Sequence, residues 1–232
     1  MNPKLFGWQH LVYIAIVIIV GTASLVCLKK FAKTDKQKRI ALFCMGIVLF
    51  GSILFNRLSL VFRYEEVNWI AIIPASICGM NSLVLSLSVI FGKKDCPIYH
   101  YLWHLTLIGG GITTLCPTFI GQNASFLYLP TISGLLHHSV SVIVVIALLI
   151  SGQINITYKK WHYSVIGFLC YMTFGAFLMT VCGLKDAFSM VDPLIKNTPF
   201  TVWVFLPIYI AGYALVLFII EVVRKKLIKK QQ

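Results

Sequence analysis

Cys78 and the adjacent imidazoles His137 and His138 are the residues of this 232-residue chain whose types best suit covalent chemistry. A cysteine becomes a nucleophile when a neighbouring base takes its proton, and histidine is the commonest such base. All three lie inside apolar runs, Cys78 within about 69–91 and the histidines within about 131–151. A helix rises about 1.5 Å per residue, so Cys78 falls about 3 Å, and His138 about 4–5 Å, to the same side of the midpoints of their runs. His137 falls one residue further out. A thiol and an imidazole from two spans at one depth is what a Cys–His nucleophile and base require. The competing reading is structural. An intramembrane cysteine is most often an inert small apolar group, and an intramembrane histidine serves equally well as an interhelical hydrogen-bonding group. Ser133, His137 and Ser141 share a helical stripe, with His138 about 100° away, so periodicity does not choose between the two imidazoles.

Other polar groups stand near this pair in the sequence. Lipid offers them no hydrogen-bond partner, so they should face other helices or a cavity. Asn81 and Ser82 follow Cys78 by three and four residues and share its helical face. Asn81 is a candidate substrate-binding residue, as is Ser76, which a regular helix would turn nearly opposite Cys78. Pro74 is expected to kink the span. Arg57 lies about 9 Å outward of the middle of its run and is a candidate partner for a phosphate or carboxylate head group. Its alternative is snorkelling to the interface. His100 and His104 have metal-ligand spacing, but no third ligand is evident, so no metal site is expected. With Tyr99, Tyr101 and Trp103 they read as an interfacial aromatic belt. Gly109-Gly110-Gly111 continues that span and permits close helix packing or a bent, substrate-facing segment.

The elements that must position these groups are membrane helices. The chain is 59% hydrophobic and 12% charged, more apolar than a soluble core requires. Seven runs have spanning length, at about 11–28, 40–62, 69–91, 98–120, 131–151, 163–184 and 201–223. They predict an all-α bundle of seven transmembrane helices forming a single domain. Basic residues concentrate between alternate runs: six from Lys29 to Arg39, then Lys93-Lys94, Lys159-Lys160, and five from Arg224 to Lys230. These fifteen residues lie on one side of a seven-span chain. The positive-inside rule then places the N-terminus outside and the C-terminus in the cytoplasm. The same distribution sets nucleic acid aside as the reason for the +13 formal charge and favours anionic lipid head groups. The seven cysteines are scattered, with no C-x-x-C pair, so neither a disulfide framework nor a zinc knuckle is expected. The first run lacks a small-residue cleavage site and reads as a retained span. Residues 185–200 form the longest outer connection, suited to capping an outward cavity.

Three segments resemble the YwaF-like family of bacterial integral membrane proteins. Ile73-Pro74-Ala75-Ser76-Ile77-Cys78 is similar to the family's L-P-x-H-x-C. The fourth run, ending Leu115-Cys116-Pro117, resembles its T-P ending. Leu135-Leu136-His137-His138-Ser139-Val140 resembles an apolar-H-small-small stretch. The resemblance covers about residues 65–225. Ser76 stands where the family usually has histidine, and Asp186-Ala187 where an N-Y pair is expected. The family is related to a mammalian acyltransferase that moves acyl chains between phospholipids. The resemblance therefore implies that Cys78 is the nucleophile and His138 its base.

The function expected is an integral acyltransferase or acyl hydrolase acting on membrane lipid, in a multi-pass bacterial cell-membrane protein. It calls for no cofactor and no metal, and its partners are membrane lipids. A transporter, or the substrate-binding membrane subunit of one, is the alternative.

Overall fold

The structure, a computed structural model, describes residues 7–63, 67–121, 123, 125–194 and 197–229. Its regular elements are helices: α1 (Trp8–Phe31), α2 (Asp35–Val61), α3 (Ile77–Phe91), α4 (Pro97–Leu115), α5 (Leu129–Ile150), α6 (His162–Thr180) and α7 (Val202–Lys229). Five segments are long and apolar enough to cross a membrane. They are α1, α2, α5, Tyr158–Thr180 and Val202–Val223. The sequence predicts a short charged turn at Arg63-Tyr64-Glu65-Glu66, of which residues 64–66 lie outside the described residues.

The chain divides into two compact units. The first comprises residues 1–74 and 78–154 and contains α1 to α5. Its centre is α5, which packs against α1, α2 and α4 and buries its polar stripe along with its aliphatic one. Three side-chain contacts fix α1 in place. His10 Nε2 reaches the Thr114 carbonyl at 2.9 Å, Tyr13 shares a hydrogen bond with Ser139 at 2.7 Å, and Gly21 gives Ile143 room to approach. Helix α2 starts with a capping box, in which Thr34 Oγ1 accepts from Gln37 N–H and Gln37 Oε1 accepts from Thr34 N–H. Arg39 then donates to the carbonyls of Val89 and Ile90, covering acceptors that the end of α3 leaves without helical partners.

The third run differs from the expected single helix. Trp69–Ile72 forms a short 3-10 turn, Ile73 is extended, and α3 starts only at Ile77. Pro74 causes this break. It has no N–H to donate and disfavours helical backbone at the residue before it. The proline thus ends one turn and precedes the helix instead of kinking it. At 15 residues, α3 rises about 22 Å, short of the roughly 30 Å hydrocarbon core.

The aromatic belt expected on α4 is also corrected. Tyr99, His100, Tyr101 and His104 are all buried in the first unit. Tyr99 donates to the Ser88 carbonyl, and His100 Nε2 meets Asp95 Oδ1 at 2.7 Å. Pro97 occupies the first turn of α4, where its missing N–H costs nothing.

The second unit comprises residues 75–77 and 155–232, with α6 and α7. Its long connection is folded onto α6. Phe188 stacks on Tyr171 at 5.4 Å, and a Cβ added at Gly175 would meet Met190 and Phe188 at 2.7 and 2.8 Å. Phe188 and Ser189 adopt positive φ, and Phe188 N–H donates to the Ala75 carbonyl.

Candidate functional site

Helices α3, α4 and α5 of the first unit meet at the glycines of α4. A Cβ added at Gly109 would lie 3.3 Å from Cys78 Sγ. A Cβ added at Gly110 would lie 3.1 Å from the His138 carbonyl oxygen and 2.9 Å from Val142 Cγ2. Two consecutive residues without side chains therefore receive the thiol from α3 and the backbone at His138 from α5. This is small-residue packing of the kind membrane helices use for close approach. Gly111 meets nothing within 4 Å, so the third glycine serves no such contact.

One turn further along α3, Ser82 Oγ and His137 Nδ1 are 3.0 Å apart. Cys78 and Ser82 share a face, so the side of α3 that carries the thiol also fixes the first imidazole. The rings of His137 and His138 lie 4.1 Å apart, centroid to centroid, at 33°. Both residues are buried, at 3% and 5% exposure. His138 makes no ring-nitrogen hydrogen bond among the described residues, so its nitrogens are uncommitted. Cys78 is half-buried, and among the described residues its thiol makes no hydrogen bond. The structure thus brings the thiol and both imidazoles onto neighbouring helices with no direct hydrogen bond from the thiol to either ring.

The remaining predicted residues separate into two groups. Arg57 and Asn81 belong to the first unit. Arg57 on α2 donates to Asn56 Oδ1 and leaves its Nε without a partner among the described residues. Asn81 is 3% exposed, and its Oδ1 has no partner among the described residues. Buried polar atoms without partners are uncommon and costly, which marks both as groups open to a ligand. Ser76 is different. It precedes α3 and is grouped with the second unit, so the helical azimuth expected for it does not apply.

The sequence reading missed the polar seam that joins α2 to α5. Asn56 Nδ2 donates to Ser133 Oγ at 3.1 Å, Ser59 and Ser133 share a hydrogen bond at 2.9 Å, and Ser133 donates to the Leu129 carbonyl. The stripe Ser133, His137, Ser141 carried a signal for it. Its members turn out to serve three helices: Ser133 faces α2, His137 faces α3, and Ser141 lies by Gly110 of α4.

Buried imidazoles, an arginine and a polar seam among helices of spanning length define an all-α membrane protein with a polar interior site. The chain belongs to the TMEM164 family, whose family model matches residues 5–223. Among curated proteins and among solved structures, none matches the chain.

Proposed function

We propose that this protein is a membrane lipid acyltransferase or acyl hydrolase that works through Cys78 and the His137–His138 pair. The observation that carries this reading is the convergence at Gly109-Gly110, with the thiol on one glycine and the His138 backbone on the next. In this mechanism His138 takes the thiol proton as Cys78 Sγ attacks an acyl ester carbonyl. The C–S bond forms, the ester C–O bond breaks, and the proton passes from His138 to the departing alkoxide. A hydroxyl acceptor, or water in the hydrolase case, then attacks the thioester. It gives its proton to His138, the C–S bond breaks, and His138 returns the proton to the released thiolate. Catalytic hydrogen bonds are often long before substrate binds, so closing the thiol–imidazole gap belongs to the substrate complex. Ser82 orients His137, and Asn81 and Arg57 offer uncommitted polar atoms to the substrate's polar end. The resemblance of the Cys78 and His138 segments to the YwaF-like family supports the same assignment. In this reading the chain crosses a bacterial cell membrane seven times, with its N-terminus outside and its basic connections in the cytoplasm.

Comparing the lipids of a deletion strain with those of its complemented parent tests the proposal. The expected result is a changed acyl-chain distribution that wild-type protein restores and Cys78→Ala does not. An unchanged profile with lost uptake of a solute would favour the transporter reading.

A further inference from the structure

At the end of the first unit where α1 turns into α2, a cavity of about 230 Å3 is lined by Leu28, Lys29, Lys33, Lys38, Ile150 and Ser151, with Ala32 beside them. It is smaller than the roughly 300–1,000 Å3 of pockets that take whole drug-sized ligands, and so has the size of a head group. Its character is divided. Leu28 and Ala32 are buried apolar groups, Ser151 is a buried hydroxyl, and the three lysines supply positive charge.

That charge is poorly matched within the protein. Lys29 has no acidic partner among the described residues. Lys33, in the connection after α1, reaches with its Nζ only the Lys29 carbonyl in the last turn of α1, at 3.3 Å. Lys38 Nζ lies 3.8 Å from Asp35, an exposed carboxylate that is also 4.0 Å from Lys94. The ends of α1 and α5 contribute about half a negative charge each, and the start of α2 about half a positive one. With Asp35 these offset roughly half of the three ammonium charges. Like charges gathered around one cavity repel unless an anion enters it.

We propose that this cavity binds a phosphate-bearing anion, which in a membrane is the head group of an acidic phospholipid. The lysines pair with the phosphate oxygens, and the apolar side chains of Leu28 and Ile150 meet the start of the acyl chains. The site is separate from the Cys78 region and does not depend on the acyl-transfer reading.

The test uses full-length protein in phosphatidylcholine nanodiscs, with and without phosphatidylglycerol, read by native mass spectrometry for retained lipid and by thermal melting. Wild-type protein is expected to retain phosphatidylglycerol and to melt higher with it. Lys29→Gln/Lys33→Gln should retain about 10- to 30-fold less, at roughly one interfacial interaction lost per lysine. Its melting in phosphatidylcholine alone should match wild type, which reports that the variant is folded. Lys225→Gln/Lys226→Gln removes the same charge elsewhere and should retain as much lipid as wild type. Inorganic phosphate titrated into phosphatidylcholine nanodiscs distinguishes the sources. Stabilisation by phosphate that the double variant loses, without phosphatidylglycerol retention, keeps the site and assigns it to the soluble anion. Equal phosphatidylglycerol retention by wild type and Lys29→Gln/Lys33→Gln, or an equal loss in the tail variant, overturns the proposal.

Discussion

Ser82 is the residue through which α3 holds His137, and its hydroxyl sits one turn from the proposed nucleophile. Replacing it with alanine removes one hydrogen bond from a buried imidazole. That is worth about 0.5–1.5 kcal/mol, so turnover should fall about two- to tenfold, with Cys78 still reactive. His138→Ala should cost nearly as much as Cys78→Ala, and the double variant little more, because in the proposed mechanism the two act as one unit. His137→Ala should be milder. A loss confined to His137→Ala would move the base by one residue, and both outcomes are read from acyl transfer in a purified assay. The burial of His137 and His138 was legible because an imidazole in an apolar run has no hydrogen-bond partner in lipid. The seam through Asn56 and Ser59 was not. Their role depends on which side of α2 faces α5, and a single helix sequence does not carry that azimuth.

Among the elements, α4 makes the sharpest prediction, because its three consecutive glycines have different surroundings. A methyl at Gly110 would press on Val142 and on the His138 carbonyl, and backbone cannot turn aside as a flexible side chain can. Gly110→Ala should therefore destabilise by about 1–3 kcal/mol and lower the melting temperature in detergent. At Gly111 the space is open, and alanine should leave stability unchanged or raise it by up to about 1 kcal/mol through helix propensity. Equal melting of the two variants would mean that α4 does not pack as described. The glycine run was legible as a site of close packing, but which glycine receives which neighbour is a property of three helices together. The break before α3 shows a similar limit. Pro74 marked the disruption, yet whether it kinks a helix or precedes one depends on the turn formed upstream by Trp69–Ile72.

For the whole molecule, the helical membrane class was legible from hydropathy, since lipid leaves a chain this apolar few other ways to satisfy its backbone. The division into two units was not, because it follows from which helices pack together. The proposed seven-span arrangement predicts that an external thiol reagent reaches a cysteine introduced at Asn123 or Asp192 and fails to reach one introduced at Lys36 or in the C-terminal tail. External labelling of the tail would overturn that topology. In the proposed mechanism Cys78 carries an acyl group. Incubating purified protein with a lipid bearing an isotope-labelled acyl chain, then measuring intact and peptide masses, tests it most directly. A labelled acyl adduct should form on Cys78, be removed by neutral hydroxylamine and be absent from Cys78→Ala. A protein that transfers the labelled chain with no adduct on Cys78, and equally well as Cys78→Ala, would contradict it.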